Sequence, residues 1–111
     1  MTIELSNAED NKLVVLAKAT RARTGAAQGA ALRDLDGRTY AGATVDLASL
    51  QVSALDVCIA MAVASGAKGA EAAVVLGEGD PGLDALREFA GADIPVHVGS
   101  AAGQIAETRS T

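Results

Sequence analysis

Tryptophan is absent from this chain, and phenylalanine and tyrosine occur once each, as Phe89 and Tyr40. A core with so few large rings has to be assembled from Ala, Val and Leu. Such a core packs backbones closely or shares its burial with a partner chain. There is one cysteine, Cys58, which excludes an intrachain disulfide. Positive charge is scarce, with 9 Lys and Arg against 14 Asp and Glu and a net charge of −5. Tight nucleic-acid binding needs several cations to neutralise phosphates, so no nucleic-acid partner is expected. The basic cluster Lys18, Arg21 and Arg23 has no interleaved aromatic residue and reads as a solvated helix end. No window approaches the ~20 apolar residues of a membrane span, so no membrane partner is expected. The opening MTIELSNAEDNKL has neither a basic n-region nor a long apolar h-region. No signal peptide and a cytoplasmic location are therefore expected.

What is present is apolar and periodic. Hydrophobic residues make up 50% of the chain, which rules out intrinsic disorder. A length of 111 residues predicts one domain over 1–111. SNAEDNKLVVLAKATRAR predicts a first helix, capped by Ser6 or Asn7 and stopped at Gly25. Glu9, three residues after Ser6, suits a capping box. QGAALRDLDGRTYAGATVDL predicts two strands around Asp36-Gly37, because Gly accepts the positive φ of a tight turn. LASLQVSALDVCIAMAVASG predicts a helix stopped by Gly66, with Val52, Leu55, Val57, Cys58, Ile59, Met61 and Val63 around most of its circumference. A helix apolar nearly all round is buried on several sides, which in so small a domain suggests a second subunit.

EAAVVLGEG predicts a central or parallel strand, and GLDALREFAG a short helix with Leu83, Leu86 and Phe89 or Ala90 on one face. DIPVHVGS predicts a strand with Val96 and Val98 on one side and His97 on the other. GQIAE adds at most a short element, and the polar tail after Ile105 is expected to fray. The order α-β-β-α-β-α-β gives an α/β domain, a mixed sheet with helices on both faces.

The stretch from Ala19 to Leu32, ATRARTGAAQGAAL, aligns without gaps on the pattern A-Y-x-P-Y-S-x-F-x-V-G-A-A-L. DGRTYAGATVDLAS then stands where a D-G turn and Y-x-G-x-N-x-E-N-A follow. A buried helix, an apolar strand, a P…REF stretch and a P-V-H-V strand complete the order. Over roughly residues 10 to 106 the chain resembles the small nucleoside cytidine deaminases. The resemblance implies a three-layer cytidine deaminase-like domain that assembles as a tetramer or dimer.

The resemblance also implies a chemistry. Zinc is held by a Cys or His of C-A-E or H-A-E and two Cys of P-C-x-x-C, with the Glu as proton shuttle. Carried over, C-A-E falls on Leu55, Asp56 and Val57. The second motif, started at Pro81, puts its cysteines on Gly82 and Ala85; aligned on REF instead, it falls in a deletion. Neither provides a ligand. The base-packing Phe falls on Ala26, and the ribose-binding Asn and Glu fall on Thr44 and Asp46. The expectation is a non-catalytic, homo-oligomeric pseudoenzyme with no metal and no cofactor, which also leaves room for an unidentified protein partner. Its vestigial pocket would comprise Ala26, Thr44, Asp46, Leu55, Asp56, Val57, Gly82 and Ala85. The alternative is a nucleoside binder or deaminase-related enzyme that reuses Thr44, Asp46 and Asp56.

The remaining chemistry-bearing residues have ordinary readings. Cys58 reads as a small buried hydrophobe. One His and one Cys cannot build a structural zinc site, so His97 reads as a sheet-face residue. Asp56 fits a helix first turn, near Ser53 and the positive dipole end. GEGDPG lacks the G-x-x-x-x-G-K pattern and carries two acids, so it reads as a turn.

Overall fold

The structure is a computed structural model that describes residues 2–111. Helix α1 spans Ala8–Thr24, and the side chain of Asn7, not Ser6, caps it, accepting from the N–H groups of Glu9 at 2.8 Å and Asp10 at 3.3 Å. Gly25 ends it in the left-handed region, φ 68°, where a side chain would be strained. Strands β1 (Gln28–Asp34) and β2 (Thr39–Ala43) form the expected hairpin, with Gly37 at φ 84° in its turn. Inside that hairpin Asp34 Oδ1 accepts from the N–H groups of Asp36 and Arg38, each at 2.9 Å, and its Oδ2 accepts from the Tyr40 hydroxyl at 2.9 Å. Burial opposes ionisation of Asp34, but the Tyr40 hydroxyl and the two backbone donors outweigh it and hold its carboxyl below the usual range.

The segment after β2 departs from expectation. Val45–Leu47 (β3) and Leu50–Val52 (β4) pair as a small hairpin, and α2 covers only Ala54–Ala64. Val52 therefore lies on a strand and not on the helix. The chain continues through β5 (Ala70–Gly77), α3 (Asp84–Ala90) and β6 (Pro95–Gly99). The tail is ordered, because Ile105–Ser110 forms β7 antiparallel to β6. Strand pairing satisfies its backbone, which explains why a polar sequence stays in place.

The main sheet has the order β2-β1-β5-β6-β7, and only β5 and β6 are parallel. Strand alternation sends side chains to two cores. Ala30, Leu32, Ala73, Val75 and Val96 pack under α2 and α3 with Leu55, Cys58, Ile59 and Leu86. Ala31, Ala72, Val74, Leu76 and Ile105 pack under α1 with Leu13 and Ala17. The result is three layers with helices on both faces. Leu13, Leu32, Leu55, Leu76 and Leu86 are fully buried, each worth about 1.5–3 kcal/mol of burial. The scarcity of aromatics is met by close approach: a Cβ on Gly29 would lie 2.6 Å from the Cβ of Arg21, so α1 rests on bare backbone. Among the described residues no helix is long and apolar enough to cross a membrane.

Candidate functional site

The N-terminus of α2 is built by Ser53, whose hydroxyl accepts from the Asp56 N–H at 3.2 Å. Asp56 sits half-buried in the first turn, where the dipole favours a carboxylate. Leu55, beside it, points into the core and is 1% exposed. Val57 is half-buried and faces Gly42: a Cβ on that glycine would lie 2.8 Å from the Cγ1 of Val57. Ala85, on α3, packs against the same apolar cluster as Leu55. Gly82 is exposed just before α3, and a Cβ added there would meet nothing within 4 Å.

Thr44 and Asp46 come together in a cleft of about 370 Å³, lined also by Val45, Gln51, Val52 and Ser53. The Thr44 hydroxyl is already engaged there, accepting from the Gln28 N–H at 3.0 Å and lying 3.3 Å from its carbonyl oxygen. Asp46 is exposed on β3. The other residues singled out by resemblance do not line this cleft. Asp56 is not on its wall, Ala26 lies in the loop before β1, and Ala85 borders a groove of about 230 Å³ between α2 and α3.

Cys58 is fully buried in the α2 core. Burial pushes its thiol up to about 12, so the thiolate that metals and electrophiles need is disfavoured. Among the described residues no three His, Cys, Asp or Glu side chains cluster as a metal-ligand set.

A second cluster escaped sequence reasoning. On the α1 side of the sheet His97 Nε2 lies 2.8 Å from Asp10 Oδ2, and His97 Nδ1 lies 2.8 Å from Thr108 Oγ1. Asp10 Oδ1 is ion-paired to Arg33 Nη2 at 2.9 Å, and both side chains are only 10% exposed. An ionised Asp10 can only accept, so Nε2–H of His97 donates to it. His97 is a sheet-face residue, as its alternation with Val96 and Val98 implies, but one tied into a buried polar chain. A signal was available, since Asp10 lies three and seven residues before Leu13 and Ala17, on the helix stripe that α1 buries.

Arg21 also departs from expectation. It is half-buried, and its Nε is buried without a hydrogen-bond partner among the described residues, whereas Lys18 and Arg23 are exposed.

Comparison with known proteins gives these features a frame. The chain is similar to the cytidine deaminase from Burkholderia pseudomallei, at 25% identity and a TM-score of 0.71, over 90% of this chain and 89% of that one. It is similar to the cytidine deaminase from Mycobacterium leprae at 20% identity and a TM-score of 0.71, covering 92% and 94% of the two chains. The cytidine deaminase from Mycobacterium tuberculosis matches at 22% identity and a TM-score of 0.68, over 81% and 85%. No curated protein sequence matches. A model of the family described as cytidine deaminase-like matches residues 6–103, so the chain belongs to the cytidine deaminase-like family.

Proposed function

We propose that this chain is a catalytically silent member of its family, acting by self-association or partner binding and not by zinc-dependent deamination. The observation that carries the reading is the chemistry of the three positions that zinc ligands would occupy. Leu55 offers no donor atom and sits in an apolar cluster, Gly82 has no side chain, and Ala85 packs against the same cluster. Val57, at the shuttle position, holds no proton. The nearby thiol of Cys58 is buried and kept protonated. These residues do not fit a zinc ion, and no step is derived through one. The vestigial pocket of Ala26, Thr44, Asp46, Leu55, Asp56, Val57, Gly82 and Ala85 is part of this proposal.

Self-association is supported by what the single chain leaves uncovered. On α2, Met61 is 36% and Val63 56% exposed; on the β3–β4 hairpin, Leu47 is 61% and Leu50 51% exposed. Exposed large apolar side chains on these consecutive elements suit a contact with another copy. Light scattering at micromolar concentration should give a dimer or tetramer mass, and a clean monomer would count against it.

The cleft at Thr44 and Asp46 favours a second reading, retention of a nucleoside site. The engagement of Thr44 with Gln28 argues against it. One experiment separates the readings. Elemental analysis after dialysis and incubation with cytidine and deoxycytidine should show no stoichiometric zinc and no product above a buffer blank. About one zinc per chain with turnover would overturn the proposal. Saturable cytidine binding without turnover would favour the second reading.

A further inference from the structure

The parallel pair β5 and β6 ends in a crevice on the α1 side of the sheet. β5 runs out at Gly77 toward α3, on the opposite face, while β6 turns back at Gly99 into β7. Strand ends whose onward chains part in this way leave a gap, and α/β folds bind small ligands in such gaps. Here the gap has a volume of about 410 Å³ and is lined by Arg21, Ala27, Gly77, Glu78, Ser100 and Ala101. That is within the roughly 300–1,000 Å³ range of small-ligand pockets.

Its walls are small residues and backbone, apart from three polar side chains. Arg21 reaches it because Gly29 lets the last turns of α1 sit directly on β1. The Nε of Arg21 is buried with no hydrogen-bond partner, and among the described residues Arg21 enters no ion pair. Glu78 enters none either, although both line the same gap. The Ser100 oxygen accepts from the Gln104 N–H at 3.3 Å, which leaves its own proton free to donate.

Arg21 lines the gap with no ion-pair partner among the described residues, and a carboxylate ligand there would meet its guanidinium with charge-assisted hydrogen bonds. A simple anion would meet Glu78, and a simple cation would meet Arg21. A molecule carrying both charges a few bonds apart meets neither penalty. Being neutral overall, it is also not repelled by a chain of net charge −5.

We propose that this gap is a binding site for a small zwitterion of the α-amino acid class. Arg21 and Ser100 receive the carboxylate, and Glu78 receives the ammonium. The site lies on the opposite face of the sheet from α2 and α3, and the inference does not rest on the function proposed above.

The test is an amide chemical-shift titration of the full chain with each of the twenty standard α-amino acids. Acetate, ethylammonium and inorganic phosphate serve as single-charge controls. At least one amino acid should shift the amides of Gly77, Glu78, Ser100 and Ala101 saturably, with each control at least tenfold weaker. Arg21→Ala should abolish saturation, and Glu78→Gln should weaken the amino acid at least tenfold while strengthening acetate, which no longer meets a like charge. Ser100→Ala, an exposed change that leaves both charges in place, should weaken binding several-fold. No saturable shift from any amino acid would overturn the proposal. So would acetate or phosphate binding as tightly as the amino acid, or Arg21→Ala binding like the parent.

Discussion

Removing the carboxylate of Asp10 tests the buried polar chain most directly. In Asp10→Ala, Arg33 keeps its charge at 10% side-chain exposure but loses its partner at 2.9 Å. His97 loses the acceptor of its Nε2–H at the same time. Breaking a buried ion pair from one side costs about 3–5 kcal/mol, because the remaining charge is stranded. Glu71, whose oxygen lies 3.9 Å from Arg33 Nε and whose side chain is 45% exposed, can take over part of the pairing. The loss should therefore fall near about 3 kcal/mol, the lower end of that range. For a chain of this size that is roughly 10–15 °C in Tm. The assay is urea unfolding followed by far-ultraviolet circular dichroism, since the chain has no tryptophan to report by fluorescence. Thr108→Val, which removes only the outer hydrogen bond to His97, should cost about 1 kcal/mol. The double variant Asp10→Leu with Arg33→Met should recover much of the loss, because no buried charge is left unpaired. An Asp10→Ala variant less than about 1 kcal/mol below the parent would refute the reasoning and show that water reaches Arg33.

Three other outcomes follow from the packing. Cys58, its thiol pushed up to about 12 by burial, should resist thiol reagents at about pH 8 in the native protein and react at once in denaturant; rapid native labelling would show that α2 opens readily. Gly42→Ala sets a Cβ 2.8 Å from Val57 Cγ1 and should destabilise by about 1–3 kcal/mol, with Val57→Ala on the same chain restoring part of it, since the Val57 Cβ at 3.1 Å and the Ala54 carbonyl oxygen at 3.2 Å remain close; no rescue at all would place the strain elsewhere. Asp34 has a folded-state pKa held below its ordinary unfolded value, so the unfolded chain binds the proton more tightly; the stability it confers is full above the unfolded value and is lost as pH falls through the lower, folded one. Tyr40→Phe removes the side-chain donor to Asp34 and should flatten the fall in stability between about pH 5 and about pH 3, whereas an unchanged slope would deny the hydroxyl its role.

How far the fold was legible depends on how local its signals are. Gly25, Gly37 and Gly66 each mark a boundary by a positive φ that other residues avoid, and all three boundaries stand where the sequence puts them. The sequence reads β3 as the end of the second strand and β4 as the start of the helix, because strands of three residues are too short for alternation to show, while Leu47 and Leu50 are spaced as on a helix. The sequence allows a short element at GQIAE but not a strand running to Ser110, because β7 is an edge strand with Ile105 alone buried, and pairing with β6, not an apolar pattern, keeps it in place. At the candidate site the apolar and small side chains at positions 55, 57, 82 and 85 are legible residue by residue. That Leu55 and Ala85 pack into one apolar cluster is not, since it depends on how α2 and α3 meet. The chain of Arg33, Asp10, His97 and Thr108 joins four separate elements, and no local pattern could announce it.

The bond between Asp10 and His97 spans 87 residues of sequence, and an isolated bridge joins Ile3 to Ile105. Helix α1, made before the strands it packs on, is therefore among the last elements to be secured. Until β6 has been made and has paired with β5, Asp10 and Arg33 lack the imidazole that completes their enclosure, and the apolar stripe of α1 has only part of its floor. Contacts of such long sequence separation bear their loop-closure entropy before they return any stabilisation, which slows folding relative to a helical bundle of the same length. During that interval α1 is an exposed amphipathic helix on a nascent chain. The nascent chain is then open to chaperones and to premature pairing with another copy in a way the finished protein is not.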